Sequence, residues 1–228
     1  MSAPSIRARV RAEMLDEIKA VARRHLATDG ANLSLRAVAR EMGLVSSALY
    51  RYFPSRDDLL TTLIIEAYDA LGAAVEAADA EQDRAELRQR WIACCRAARA
   101  WALAHPAEYA LLYGSPVPGY AAPADTVGPA QRPPVALIGI VLDGVADGLI
   151  TVPTDDVAVP VATDLAEITA ILGVDLPPAL TARAMAGWTQ LFGLISFELF
   201  GRIDNALPHR DAYFAHQIGL MADLVGLP

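Results

Sequence analysis

The sequence predicts an all-α protein, with a short N-terminal bundle of three helices followed by a larger helical domain. Its 228 residues include 44 alanines, and aromatic residues make up only 7% of a chain that is 54% hydrophobic. This composition suits packed helices better than a β-sandwich. Apolar residues also recur every three or four positions through most of the chain, which is the helical period.

Charge divides the chain at about residue 60. The first 60 residues carry 10 of the 19 Lys and Arg residues and 7 of the 27 Asp and Glu residues, for a net charge of +3 against −11 in the remainder. An acidic protein with one basic segment can present that segment to a polyanion. A mixed, solvated surface is the alternative interpretation.

Four helices are expected in the first 80 residues. Apolar spacing predicts the first from residue 5 to about residue 27. Ser34 is placed to cap a second, short helix that stops at Gly43, and Ser46 to cap a third that Pro54 ends. Ser55 begins a capping-box variant that starts a fourth helix, which runs to about residue 79.

The second and third helices have the pattern of a helix-turn-helix unit. Ala39 is small where two helices would cross, and Gly43 tolerates the positive φ of the turn. A generic three-helix packing unit would need the same pattern. Side chains that can donate to phosphates and base edges cluster on the outside of this unit: Arg36, Ser46, Ser47, Tyr50, Arg51, Tyr52 and Arg56. A half-buried core position for each tyrosine and a solvated surface position for each arginine are the alternatives.

Residues 35–39 (LRAVA), Gly43 and residues 48–60 (ALYRYFPSRDDLL) together resemble the N-terminal domain of the TetR (tetracycline-repressor) family of transcriptional regulators. The resemblance implies a homodimer with a DNA-binding domain at 1–54 and a ligand-binding and dimerisation domain at 55–228, of which 55–79 is a connecting helix. It implies a recognition helix at 46–53 supported by residues 34–42. It also implies DNA contacts for Arg36, Ser46, Ser47, Tyr50 and Tyr52, with Arg56 at the position of the family's phosphate-contacting lysine.

The C-terminal region more weakly resembles a subgroup of that family named for Trp, His and Gly. The similarity rests on residues 105–109 (HPAEY) with Gly114 and on Trp188 with Gly193. Phe192 stands where the subgroup has its histidine.

The larger domain is expected to be helical over about 83–105, 106–114, 135–150, 162–172, 178–201 and 211–225. Between the second and third of these, Ser115 to Pro134 holds six prolines and two glycines, which predicts a long loop. This loop is expected to cover a pocket for an apolar or aromatic effector, walled by Trp101, Tyr109, Tyr113 and Tyr120. Ordinary core packing of these aromatic residues is the alternative.

The last two helices are expected to form a four-helix dimer interface with a second copy. Their small and apolar side chains exceed what one core needs. The expected contacts are Gly187, Trp188, Leu191, Phe192, Gly193, Ile195 and Leu199. A helix that is wholly internal is the alternative.

Catalysis is not expected, because the sequence has no Gly-rich phosphate loop, nucleophile signature or His pair at metal spacing. No cofactor or metal site is expected either. Cys94 and Cys95 fit small core residues better than an oxidant sensor, and Asp143 and Asp147 fit a solvated helix face better than a site for a cationic ligand. With no membrane span and no signal peptide recognised, the protein is expected to be cytoplasmic.

The function expected from these observations is that of a ligand-responsive DNA-binding regulator. Its homodimer would repress from a palindromic operator and be released by a small apolar or aromatic effector. The alternative is a helical small-molecule-binding protein that keeps the fold without regulatory DNA binding.

Overall fold

A computed structural model describes residues 5–29 and 33–228, and over these residues it contains ten α-helices and no β-strand. The expected all-α fold is confirmed. The helices are α1 (Ile6–Asp29), α2 (Leu35–Glu41), α3 (Ser46–Leu49), α4 (Arg56–Ala80), α5 (Leu87–Ala104), α6 (Pro106–Tyr113), α7 (Val127–Ala146), α8 (Val159–Leu172), α9 (Pro178–Leu199) and α10 (Arg210–Leu224).

The chain packs as two compact units. The first comprises residues up to 67 together with 105–127, and the second comprises 68–104 and 128–228. This division differs from the expected boundary at residue 54, because the start of α4 and all of α6 pack with the N-terminal helices. Helix α4 is continuous through both units.

Local sequence signals determine the start of α2 and the turn that follows it. The Ser34 side chain accepts a hydrogen bond from the backbone N–H of Ala37, as expected of a cap. Gly43 has φ of +68°, and the N–H of Leu44 bonds back to the carbonyl of Ala39, which closes the end of the helix. Ala39 is buried at the centre of this unit. The helix-turn-helix geometry is therefore present.

The third helix is shorter than expected. Val45, not Ser46, is the capping residue, and α-helix ends at Leu49, after which residues 50–52 form a turn. The expected cap at Ser46 and the helical span to residue 53 are therefore wrong. Phe53 still bonds through its N–H to the carbonyl of Leu49, and both side chains are buried, so the turn is anchored to the core.

Helix α4 begins with the expected capping box. The Ser55 hydroxyl accepts from the N–H of Asp58 at 3.1 Å and donates to its carboxylate at 2.7 Å. In the second unit, α9 packs against α5, α8 and α10, and α10 also packs against α5.

The expected loop from Ser115 to Pro134 is only partly a loop. Helix α7 begins at Val127 and includes both Pro133 and Pro134. Each interior proline removes a backbone hydrogen bond and costs about 3 kcal/mol. The helix is held to α4 beside these prolines, because Arg132 binds the side chains of Asp69 and Glu76.

Within the described part of the chain, no helix combines the length and the hydropathy needed to cross a bilayer.

Candidate nucleic-acid interface and effector cavity

The first unit presents a polar surface on α2, α3 and the turn after α3, which we call the reading surface. Leu49 and Phe53 are buried and fix its orientation. Tyr50 is 42% exposed, although a side chain as large as that of tyrosine usually packs against the core. The surface consists of Arg36, Ser47, Tyr50 and Arg51, which are exposed, with Ser46 and Tyr52 partly exposed. The structure thus brings together six of the seven side chains expected to contact DNA.

Arg56, the seventh, is held by the backbone of its own unit. Its Nε donates to the carbonyl of Leu33 at 3.0 Å and its Nη1 donates to the carbonyl of Pro118 at 3.4 Å. The side chain remains 30% exposed. Two backbone carbonyls therefore fix the orientation of the guanidinium.

The charges of the reading surface are not neutralised. Among the described residues, no carboxylate lies within ion-pair distance of Arg36 and Arg51, or of Arg40, which is exposed near them on α2. Glu41, the acidic residue at the end of α2, instead pairs with Arg24 at 2.7 Å and lies 2.8 Å from His25. Glu41 is thus engaged by α1 and does not neutralise an arginine of the reading surface.

The segment after α6 packs within the first unit. The hydroxyls of Tyr120 and Thr61 are 2.9 Å apart, and Val117 and Tyr120 pack on the core of the three-helix bundle. Of the four aromatic residues expected to wall a pocket, Tyr109, Tyr113 and Tyr120 belong to this unit and Trp101 to the other. Tyr109 is fully buried, with its ring centroid 5.1 Å from that of Tyr113.

The second unit contains an apolar cavity of about 160 Å³. Helices α5, α7, α8 and α9 supply its walls, and no charged side chain is among them. The lining residues are Trp91, Pro134, Leu137, Ile138, Val141, Ile168, Leu172, Ala184, Met185 and Trp188. None of the four expected aromatic residues is part of this lining. Sequence reasoning missed the aliphatic members because their spacing is that of any core helix.

Helix α9 turns most of its expected dimer contacts inward. Gly187, Leu191, Phe192 and Ile195 are buried within the chain itself, and Trp188 lines the cavity. The exposed stripe of α9 runs instead through Ala186, Thr189, Gly193 and Phe197, and continues to Phe200, which caps the helix. Of the seven expected residues, only Gly193 is on that stripe.

The two cysteines are buried, and Asp143 of α7 is ion-paired within the fold. Burial is the main reason that the pKa of Cys94 is raised to about 12, and burial also raises the pKa of Cys95 well above its usual value. A thiol with a raised pKa stays protonated and reacts slowly with oxidants, which favours a core role over oxidant sensing. Asp143 binds Arg84 at 2.6 Å and Arg90 at 2.8 Å, so it is engaged within the fold and not by a cationic ligand.

Comparison with known proteins identifies the family. Residues 91–221 match the family described as "Tetracyclin repressor-like, C-terminal domain", and residues 18–63 match "Bacterial regulatory proteins, tetR family". The chain belongs to the TetR family of transcriptional regulators. Neither description names the Trp-His-Gly subgroup, so that finer assignment stays a prediction.

Relatives cover most of this TetR-family chain. The HTH-type transcriptional regulator Rv1816 of Mycobacterium tuberculosis is 43% identical over 189 residues, which are 82% of this chain and 80% of the relative. The crystal structure of SCO4313 is 31% identical, covers 97% of this chain and 100% of its own, and superposes with a TM-score of 0.79. A protein of unknown function from Rhodococcus sp. RHA1 is 25% identical, covers 93% of each chain and has a TM-score of 0.67. The protein is thus a TetR-family transcriptional regulator with a DNA-binding helix-turn-helix.

Proposed function

We propose that this regulator is a ligand-responsive repressor. Its unliganded homodimer binds a palindromic operator through the reading surface, and a small uncharged effector in the apolar cavity releases it. The observation that carries the proposal is that one chain combines a reading surface on which Arg36 and Arg51 have no carboxylate at ion-pair distance among the described residues with a second unit that contains an uncharged cavity.

A palindromic operator is expected from the two-fold symmetry of a homodimer. A two-fold dimer presents two reading surfaces to successive major grooves about 34 Å apart, so its site is a palindrome. A gel shift with DNA from the region upstream of the protein's own gene should show a complex that unrelated DNA does not displace. Ligand binding without any such complex would instead support the alternative of a small-molecule-binding protein.

The cavity defines the chemistry of the effector. An apolar cavity of about 150 Å³ in another protein binds benzene, so the 160 Å³ here admits a compact molecule with a single ring. With only apolar walls, a charged ligand would lose its hydration without compensation. We place the effector in this cavity and not among the four aromatic residues expected from the sequence, because those four residues are divided between the two units.

The relay to DNA runs through α4, since α4 is continuous from the second unit to Arg56. Arg132 fastens α7, a cavity wall, to α4: it binds both carboxylate oxygens of Glu76 at 2.9 and 2.7 Å and Asp69 at 2.7 Å. Gly72 allows this approach, because a Cβ there would lie 2.7 Å from the Cβ of Arg132. Movement of α7 on ligand binding would thus shift α4. The ligand must favour the released state, because equal affinity for both states would shift nothing.

A thermal-shift screen tests the cavity with toluene, indole and acetophenone as probes and benzoate as a charged control. Binding probes should raise the unfolding midpoint of the protein and weaken its operator complex. Ala184→Phe fills the cavity and should abolish the shift, whereas Ala170→Phe, at an exposed position on α8, should not. If probes stabilise the wild type but operator affinity never changes, the inducible switch is wrong and the protein binds DNA constitutively.

The dimer interface is proposed on the exposed faces of α9 and α10. Phe197 and Phe200 are 56% and 44% exposed, and Leu220 and Leu224 of α10 are 45% and 36% exposed, which is unusual for large apolar side chains on a monomer. Gly193→Arg tests this face, since a Cβ at Gly193 meets no atom within 4 Å, and we expect the variant monomer to fold. Light scattering should report a monomer for this variant and a dimer for the matched control Gly128→Arg, which also points into open space.

A further inference from the structure

The first turns of α1 carry arginines that the helix-turn-helix does not account for. Arg7, Arg9 and Arg11 are all exposed, and the Cζ of Arg11 lies 5.1 Å from the ring centroid of Tyr52 at the edge of the reading surface. A guanidinium in this position is attracted to the ring face and keeps its N–H edges directed outward. Tyr52 itself is partly buried against the core of the bundle. Its ring is therefore a fixed platform for Arg11.

The three arginines differ in whether their charge is already matched. Arg9 lies 3.8 Å from Glu13, one turn along the same helix. Within residues 5–29 and 33–228, no carboxylate lies at ion-pair distance from Arg7 or Arg11. Arg7 and Arg11 are four residues apart and so share one face of α1, with Arg7 a further turn of about 5.4 Å from Tyr52.

We propose that Arg11, oriented by Tyr52, binds a backbone phosphate beside the base pairs that the reading surface contacts, and that Arg7 binds the next part of the same backbone. This inference rests on the proposed operator binding and extends it beyond the helix-turn-helix. The planar guanidinium forms two parallel hydrogen bonds to a phosphate, so both arginines add affinity for any sequence. Tyr52 acts as a positioning residue.

The experiment measures operator affinity at several salt concentrations for Arg7→Gln, Arg11→Gln and the matched control Arg9→Gln. All three remove one positive charge from an exposed position on α1. Each lost phosphate contact should make the fall in affinity between about 50 and about 200 mM salt roughly threefold smaller. Arg7→Gln and Arg11→Gln should show that change for specific and unrelated DNA alike, and Arg9→Gln should keep the wild-type salt dependence.

A double-mutant cycle tests the platform. Tyr52→Leu keeps an apolar side chain against the core but removes the ring, so Arg11→Gln should weaken operator binding less in that background than in the wild type. Circular dichroism and the unfolding midpoint verify that each variant is folded. If Arg11→Gln costs the same in both backgrounds, the orienting role of Tyr52 is wrong.

The outcomes separate this inference from the function on which it rests. If the wild type forms an operator complex that Tyr50→Ala weakens, but Arg7→Gln and Arg11→Gln match Arg9→Gln, then the flanking contacts do not exist and the repressor proposal stands. If the wild type forms no complex with any DNA, both fail together.

Discussion

The two units of this protein differ in how many of their arginines are in ion pairs. In the second unit, seven arginines are in ion pairs that join helices or loops: Arg84, Arg88, Arg90, Arg99, Arg132, Arg183 and Arg210. In the first unit, five arginines on or near the reading surface have no carboxylate at ion-pair distance among the described residues: Arg7, Arg11, Arg36, Arg40 and Arg51. Counted over the two units, the net charge is 0 in the first, with 10 Lys and Arg against 10 Asp and Glu, and −8 in the second, with 9 against 17. The first unit therefore differs from the second in leaving a larger share of its arginines without a carboxylate partner among the described residues.

Among the ion-paired arginines of the second unit, Arg90 is the most deeply buried, and it lies in a cluster of charged side chains. Its side chain is 1% exposed and binds Asp79 at 2.7 Å and Asp143 at 2.8 Å, while Arg84 binds the same two aspartates. Burial alone would raise the pKa of Asp79, but the hydrogen bonds from Arg90 and Arg84 outweigh it and hold that pKa below its ordinary value. This cluster joins the end of α4 to α5 and α7.

The largest effect on stability is expected from Asp79→Asn. It leaves a buried guanidinium with one carboxylate partner fewer, which should lower the free energy of unfolding by about 2–3 kcal/mol at neutral pH. Urea denaturation followed by circular dichroism measures the loss, and Asp147→Asn, an exposed carboxylate on the segment after α7, is the control with little expected change.

The same variant gives a pH test. The folded pKa of Asp79 lies below the unfolded one, so its stabilising contribution is complete above about pH 4 and is lost as pH falls through the folded value. The stability difference between wild type and Asp79→Asn should therefore narrow below about pH 4. A constant difference down to pH 2 would show that Asp79 is not held ionised by these arginines.

Tyr50→Ala should have the largest effect on operator recognition. Tyr50 is exposed at the end of α3, and loss of a base contact should cost about 1–3 kcal/mol in operator binding with little change for unrelated DNA. Fluorescence anisotropy with labelled operator measures both affinities. Equal binding by the folded variant would remove Tyr50 from the DNA contacts.

Arg56→Ala should weaken binding to all sequences equally and reduce the salt dependence by about one phosphate contact. Because Arg56 also donates to the carbonyl of Leu33, this variant should lose about 1 kcal/mol of stability as well. A lysine at this position keeps a positive charge for a phosphate but cannot reproduce the hydrogen bonds to the carbonyls of Leu33 and Pro118. Compared with Arg56→Ala, Arg56→Lys should therefore recover more of the DNA affinity than of the stability. Parallel titrations at two salt concentrations and a denaturation curve give both quantities.

The smallest effect is expected from Arg183→Gln. This arginine pairs with Asp155 on the surface of the second unit, where a pair contributes about 0–1 kcal/mol. Operator affinity and salt dependence should be unchanged, although the change in net charge equals that of Arg36→Gln. A loss of affinity as large as that of Arg36→Gln would show that overall charge, and not placement, governs DNA binding.

The sequence by itself determined the features that depend on neighbouring residues. The cap at Ser34 and the capping box at Ser55 each join residues three positions apart, and the positive φ at Gly43 belongs to that residue alone. All three were predicted from residue type and spacing. The same is true of the helix that Pro106 begins. In these short segments, residue type alone restricts the backbone conformation and the hydrogen bonds that can form.

Tertiary structure decided which side of a helix faces which neighbour. Helical period marks α9 as apolar on several sides, and only packing against α5, α8 and α10 shows that Leu191 and Ile195 are internal while Phe197 is exposed. The helix through Pro133 and Pro134 likewise depends on partners about 60 residues away on α4. The cavity takes its walls from four helices. Such contacts are stabilised by burial and pairing between distant parts of the chain, and local spacing carries no record of those partners.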